Sequence, residues 1–200
     1  MRTNRIIRLS GWALILGGLA IVVGSLFGDE GLFFGLFLVM PIFVGAGMLG
    51  LQAGYKDALG NLGRTILWAG VLGAAVALVG AIGQMFWDEA YFAGTFFSLT
   101  GIFTSLLLFG VQALRRKLLP WGNGLPVLAG IWVPLIALLY GISEGFNVNL
   151  PAISNAVLVA VFLIMGLALL LLGYVVQADA ASEMPANRAE RTGSRGAVAP

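Results

Sequence analysis

Six long apolar runs, separated by short polar turns, restrict what this chain can fold into. A helix needs about 20 predominantly apolar residues to cross the hydrocarbon core of a bilayer. The 200 residues are 60% hydrophobic and only 10% charged, whereas soluble domains carry about 25% charged residues. We therefore predict an all-α, polytopic transmembrane helical bundle with six spans. The predicted spans are residues 9–27, 31–51, 66–86, 92–114, 125–142 and 152–176.

The segments outside the predicted spans are short. Residues 1–8 form a basic arm, and the following apolar run is longer than the core of a cleaved signal peptide, so we expect it to be retained. Residues 52–64 are predicted to be a polar loop and residues 118–124 a connector. Residues 177–200 are rich in Ala, Glu, Arg, Ser, Gly and Pro, a composition that predicts a disordered tail.

Charge is distributed unevenly between the two sides of the predicted membrane domain. All eleven Lys and Arg residues lie in the N-terminal arm, in two alternate loops or in the tail. The charged residues of the opposite loops are all acidic. They are Asp29, Glu30, Asp88, Glu89 and Glu144. Because cytoplasmic loops are enriched in Lys and Arg, we predict a multi-pass protein of the plasma (inner) membrane with both termini in the cytoplasm.

Small residues recur every three or four positions along the third and fourth apolar runs. Such residues share one helix face and allow two backbones to approach closely in lipid. The pattern predicts that the two runs pack as a helical hairpin. The small residues are Gly70, Gly73, Ala77 and Gly80 in one run and Gly94, Ser98, Gly101 and Ser105 in the other.

Short sequence matches suggest that this hairpin is repeated. Residues 12–17 (WALILG) resemble residues 68–73 (WAGVLG), and residues 50–53 (GLQA) resemble residues 110–113 (GVQA). Two spans per unit give parallel repeats, related by an axis along the membrane normal. We predict three parallel-repeated hairpins; the alternative is chance similarity within an apolar sequence.

Several chemistries are excluded by the residues that the chain lacks. It contains no Cys and no His, which removes thiol and imidazole catalysis and the usual zinc and haem ligands. No Asp, Glu, Lys, Arg or His residue falls inside a predicted span, which weighs against proton-coupled transport. Phosphate-binding, nucleophile and nucleic-acid motifs are also missing. We expect no enzyme activity, no cofactor, no bound metal and no nucleic-acid partner.

A few polar residues nevertheless fall inside the predicted spans. A small intramembrane polar site is expected between spans three, four and five, where a proline kink would meet the Ser and Thr residues of span four. The structural alternative is that these hydroxyl groups bond back to carbonyls of their own helix. The candidate residues are Gln84, Ser98, Thr104, Ser105 and Pro134.

These features predict a non-enzymatic bundle that acts as an accessory, scaffold or lipid-interacting protein. Its expected partners are membrane lipids, a second copy of the chain as a homo-oligomer, or another membrane protein. The basic run 115–117 either binds anionic lipid head groups or only sets topology. The alternative function is a small carrier or channel for an apolar or small neutral solute.

Overall fold

The computed structural model, in the part of the chain that it describes, consists mainly of α-helices. It describes residues 2–26, 38–86, 90–146 and 155–195, and side chains within residues 5–26, 38–55, 58–83, 98–139, 141 and 156–181. No strand occurs in these backbone ranges, so the predicted all-α class is confirmed. The helices within these ranges are α1 (Arg2–Leu26), α2 (Met40–Phe86), α3 (Ala90–Arg116), α4 (Leu125–Gly130), α5 (Trp132–Phe146) and α6 (Asn155–Arg195).

Within the described residues, four helical stretches are long and apolar enough to cross a membrane. They indicate a multi-pass membrane protein, with a shorter apolar helical stretch at Leu125–Leu139. The second predicted span begins outside the described residues, and its remainder is the start of α2. The four long stretches are Arg5–Leu26, Ala58–Gly83, Ser98–Arg116 and Ala156–Ala181.

Helix α2 reverses direction at a single residue. Gly60 has φ 66° and ψ −175°, and it divides α2 into a first arm (residues 40–59) and a second arm (residues 61–86). A Cβ atom on Gly45 would lie 2.8 Å from the Cβ of Ala74, so the two arms run side by side. The predicted polar loop at 52–64 is therefore wrong, because both arms remain helical up to Gly60.

The helical pattern in this segment is hidden by its polar composition. Leu51, Tyr55 and Leu59 are buried at intervals of four residues, which places them on one helix face. That face packs into the core, while the polar residues between them occupy the other faces. The first arm therefore continues as a helix beyond the apolar run.

Consecutive helical segments from α1 to α4 pack against one another in antiparallel pairs. A Cβ on Gly17 of α1 would lie 3.0 Å from a methyl group of Val44 in the first arm. Further along, Gly50 lies directly against the side chain of Ser10. The same antiparallel register joins the second arm to α3, where Gly70 is beside Ser105.

Helices α4 and α6 connect the two ends of this series of packed helices. Helix α4 packs on α3 and on α6, and α6 packs along α1. The buried side chains of these helices form one continuous apolar cluster. Its fully buried members include Leu14, Met48, Phe103, Phe109 and Leu172.

The connection between α3 and α4 follows the prediction. Helix α3 ends at Arg116, and Lys117 takes a positive φ of 51°. Asn123 then fastens the connector, since its Oδ1 accepts from the backbone N of Leu119 at 2.9 Å and its Nδ2 donates to the Leu119 carbonyl at 3.0 Å. The helix break at Ile131 agrees with the bend expected near Pro134, which lacks a backbone N–H.

Helix α6 continues beyond the predicted end of the sixth span. Ala180 is 1% exposed, and the Tyr55 hydroxyl donates to Oδ2 of Asp179 at 2.6 Å. Residues 177–181 are thus packed against the bundle, in a segment for which composition predicts a disordered tail. Alanine has the strongest intrinsic helix propensity, which helps the helix to continue through this polar stretch.

One end of the bundle collects the described basic side chains. In the antiparallel register Gly54 meets Ile7, Gly63 meets Gln112, and Gly11 meets Gln177. Residues 5–8, 54–64, 112–117 and 177–181 therefore lie at the same end, which we name the basic end. Its described Lys and Arg side chains are Arg5, Arg8, Arg64, Arg115, Arg116 and Lys117.

Candidate functional site

The described interior of the bundle is almost entirely apolar. Its buried polar side chains are Ser10, Ser25 and Ser105. Ser10 donates to the Ile7 carbonyl at 2.6 Å, and Ser25 donates to the Ile21 carbonyl at 2.7 Å. These bonds stay within α1 and satisfy the hydroxyl groups locally. Neither serine is arranged to present a hydroxyl to a ligand.

Two residues of the predicted polar site lie at the contact between α3 and the second arm of α2. A Cβ on Gly73 would lie 3.2 Å from the carbonyl oxygen of Ser98, and one on Gly70 would lie 3.0 Å from the Cβ of Ser105. Atoms at these distances leave no space for a ligand between the two helices. Ser98 and Ser105 therefore serve close helix packing along this line.

Beside this contact a groove of about 410 Å³ opens on the outside of the bundle. We name it the outer groove. The second arm of α2 forms one wall and α3 forms the other, and Thr104 and Ser105 of the predicted site both line it. Its lining residues are Thr65, Ile66, Ala69, Thr100, Gly101, Thr104, Ser105 and Leu108.

Among the described side chains, Ser98 and Pro134 of the predicted site are not part of the groove lining. Helix α4 meets α3 at Phe103, Leu107 and Gly110, and Pro134 follows on α5. Residues two apart on a helix are separated by about 200°, so this face lies opposite that of Ser105. Helix α5, which carries Pro134, also contacts α3, and the meeting of Pro134 with the polar residues of span four stays a prediction. The side chain of Gln84 lies outside the described residues.

Two buried polar atoms lack hydrogen-bond partners within the described residues. They are Oε1 of Gln112 and Nε1 of Trp132. The Gln112 oxygen lies against Gly63, where a Cβ would be 2.6 Å away. An unsatisfied buried polar group costs about 1–3 kcal/mol. Neither group is ionisable, so these positions supply no acid, base or nucleophile.

The tertiary structure adds a basic residue that lies far from run 115–117 in the sequence. Arg64 in the second arm comes level with the last two turns of α3, because Gly63 lies against Gln112. Arg116 reaches across the α2 reversal and donates from Nη1 to the Ala58 carbonyl at 2.6 Å. Arg115 and Lys117 are exposed. Inspection of consecutive residues does not show that Arg64 lies near run 115–117, because the pairing of the second arm of α2 with α3 brings them together.

Chemically, the described residues offer apolar contact, hydroxyl groups, guanidinium groups, the Lys117 ammonium group and the Asp179 carboxylate, which accepts from Tyr55. Within the described part of the chain, no group of three or more His, Cys, Asp or Glu residues is placed to hold a metal ion. The arrangement is therefore suited to binding through apolar surface and positive charge. Comparison of the chain with protein-family models, curated proteins and solved structures gives no match.

Proposed function

We propose that this protein is a non-enzymatic membrane bundle that acts as an accessory, scaffold or lipid-interacting protein. The observation that supports this proposal is the continuous apolar cluster that fills the described interior from α1 through α6. Phe103 and Phe109 are fully buried within it. A solute path needs polar groups or open space along its length, and the described interior supplies side-chain packing instead.

A carrier or channel for an apolar or small neutral solute is the second candidate. It is favoured by the hydroxyl-bearing outer groove, in which Thr65, Thr100 and Thr104 come together. The groove lies on the outside of the bundle, however. It is closed towards the interior where the second arm of α2 touches α3 at Gly70 and Ser105. A transport path there would require the second arm of α2 to separate from α3.

The two functions predict different solute flux. Liposomes containing the purified protein are expected to take up glycerol and urea at the rate of protein-free liposomes, because a filled interior offers no path. Stopped-flow light scattering measures the rate, with a pore-forming peptide as positive control. A faster rate that Thr104→Leu abolishes and Leu108→Ala preserves would contradict the scaffold proposal and support the carrier.

We further propose six spans, arranged as three parallel-repeated hairpins, in the plasma membrane with both termini in the cytoplasm. The antiparallel packing of α1 on the first arm of α2, and of the second arm on α3, supports the first two hairpins. The collection of basic side chains at one end supports a cytoplasmic position for that end. In the proposed repeat, Gly17 and Gly73 correspond, and each lies against the helical segment that follows it.

Cysteine labelling tests this orientation in a chain that has no native cysteine. Gly124→Cys adds a thiol in the α3–α4 connector, where a Cβ has open space around it, and Asn149→Cys adds one in a predicted outer loop. An impermeant maleimide applied to intact cells should label Asn149→Cys and should label Gly124→Cys only after permeabilisation. The opposite pattern would show that the basic end faces outward.

The outer faces of the helices are suited to lipid or to a protein partner within the membrane. Leu167, Leu171 and Tyr174 of α6 are each about half exposed and lie along one face. Trp121 of the connector packs edge-on against Tyr174, with ring centroids 6.0 Å apart. Aromatic side chains are common at membrane interfaces. We propose membrane lipids as the main partners, with a homo-oligomer or another membrane protein as further partners.

A further inference from the structure

We propose that the outer groove and the basic end together form a binding site for an anionic phospholipid of the cytoplasmic leaflet. One acyl chain would lie in the groove, and the phosphate would lie among the arginines below it. This inference rests on the proposed membrane orientation and deepens the lipid-interacting function by naming a site and a lipid class.

The shape of the groove suits an acyl chain. On α3 its lining extends from Thr100 to Leu108, which is about 12 Å along the helix axis at 1.5 Å per residue. Ile66, Ala69 and Leu108 supply apolar contact, and a Cβ on Gly101 would have no atom within 4 Å. Gly101 is itself exposed, so the absence of a side chain there leaves the α3 wall of the groove open.

Positive charge lies at one end of this groove. Arg64 directly precedes Thr65 in the wall formed by α2. Arg115 follows Leu108 by seven residues, so it lies about two turns further along the same face of α3. Arg115 is exposed, and a guanidinium group can bind phosphate through two parallel hydrogen bonds.

The bond between Arg116 and Ala58 strengthens this arrangement. It joins the end of α3 to the last turn of the first arm of α2, and thereby fixes the end of the α3 wall beside the α2 reversal at the basic end. Basic pockets between helices on the cytoplasmic side are suited to anionic head groups, and the cytoplasmic leaflet is rich in anionic lipid. A zwitterionic lipid would fill the groove equally well, but its head group would gain less binding free energy from the arginines.

Native mass spectrometry of the protein in nanodiscs of mixed phosphatidylcholine and phosphatidylglycerol tests the site. The wild-type protein is expected to retain phosphatidylglycerol in preference to phosphatidylcholine. Gly101→Leu should lower the retained phosphatidylglycerol about tenfold, because leucine occupies the space of the acyl chain. Gly141→Leu is the matched control, since a Cβ at Gly141 also has open space around it and the residue lies on α5.

A second pair of variants tests the charge. Arg115→Gln should lower retained phosphatidylglycerol about fivefold and leave phosphatidylcholine unchanged. Arg8→Gln, which removes an exposed charge from α1 at the same end, should change neither. Unchanged melting temperatures would establish that the variants remain folded.

Two results would overturn the site. The first is equal phosphatidylglycerol retention by Gly101→Leu and Gly141→Leu, and the second is equal retention by Arg115→Gln and Arg8→Gln. Failure of the scaffold proposal is distinguishable, because it would be seen as solute flux through liposomes whether or not phosphatidylglycerol is retained.

Discussion

Replacing Gly18 by leucine is expected to separate α1 from α6 and to produce the largest loss of stability of any single change considered for this bundle. A Cβ on Gly18 would lie 2.5 Å from the carbonyl oxygen of Gly166 and 2.8 Å from the backbone N of Leu170. Both neighbours are backbone atoms, which cannot turn aside as a flexible side chain can. Overpacking of a core costs about 1–3 kcal/mol, and we expect the loss here to be ~3 kcal/mol.

Thermal unfolding in mild detergent, followed by far-UV circular dichroism, measures this loss. Gly141→Leu is the control, because it adds the same side chain at a helical glycine that has open space around it. Its melting temperature should remain close to that of the wild type. Equal melting temperatures for Gly18→Leu and the wild type would refute the close α1–α6 contact.

The same interface contains a second backbone contact of this kind. A Cβ on Gly173 would lie 2.5 Å from the carbonyl oxygen of Gly11, seven residues before Gly18 in α1. Glycines two turns apart therefore lie on one face of α1 and meet glycines two turns apart in α6. This spacing keeps the first and last helices in contact and closes the bundle.

Replacing Gly60 by alanine is expected to have the second-largest effect. Its φ of 66° and ψ of −175° fall in a region that is essentially restricted to glycine, and a side chain there costs about 1–3 kcal/mol. Among the described residues outside its own helical backbone, a Cβ at this position would meet the Arg116 guanidinium, at 3.9 Å. The expected loss therefore comes from backbone strain rather than from a steric clash.

Gly124→Ala separates backbone strain from a general effect of removing glycine. Gly124 has φ −79° and ψ −15°, which alanine adopts readily, and its surroundings are open. The melting temperature should fall for Gly60→Ala and stay near the wild-type value for Gly124→Ala. Equal melting temperatures for the two variants would show that Gly60 does not make the reversal described here.

Local features of the sequence were sufficient to predict several parts of the fold. The apolar runs predict helices because backbone groups in lipid must be satisfied within a helix or a closed barrel. The basic run 115–117 marks the end of α3, which lies at Arg116. Pro134 indicates the bend that the structure places at Ile131. Each of these predictions depends on residues that are neighbours along the chain.

Other features depend on contacts between distant residues, and the sequence pattern misjudged them. The segment 52–64 contains three glycines, at positions 54, 60 and 63, and composition does not show which of them reverses the chain. Gly54 instead lies against Ile7, and Gly63 lies against Gln112. Gly54 and Gly63 are used for close helix contact. Of the three glycines in this segment, only Gly60 has a positive φ.

The candidate site likewise combines features that the sequence shows with features that depend on tertiary contacts. The sequence by itself determined that α3 carries a stripe of Ser, Thr and Gly residues and that basic residues cluster at its end. Only the tertiary structure decided that Thr104 and Ser105 line an outer groove with the second arm of α2, that Pro134 is not part of its lining, and that Arg64 joins the basic end. In a lipid-embedded bundle nearly every helix face is apolar, so hydropathy does not identify the partner of each face. Close approach at glycine decides the pairing, because backbone contact is possible only where both helices leave room for it.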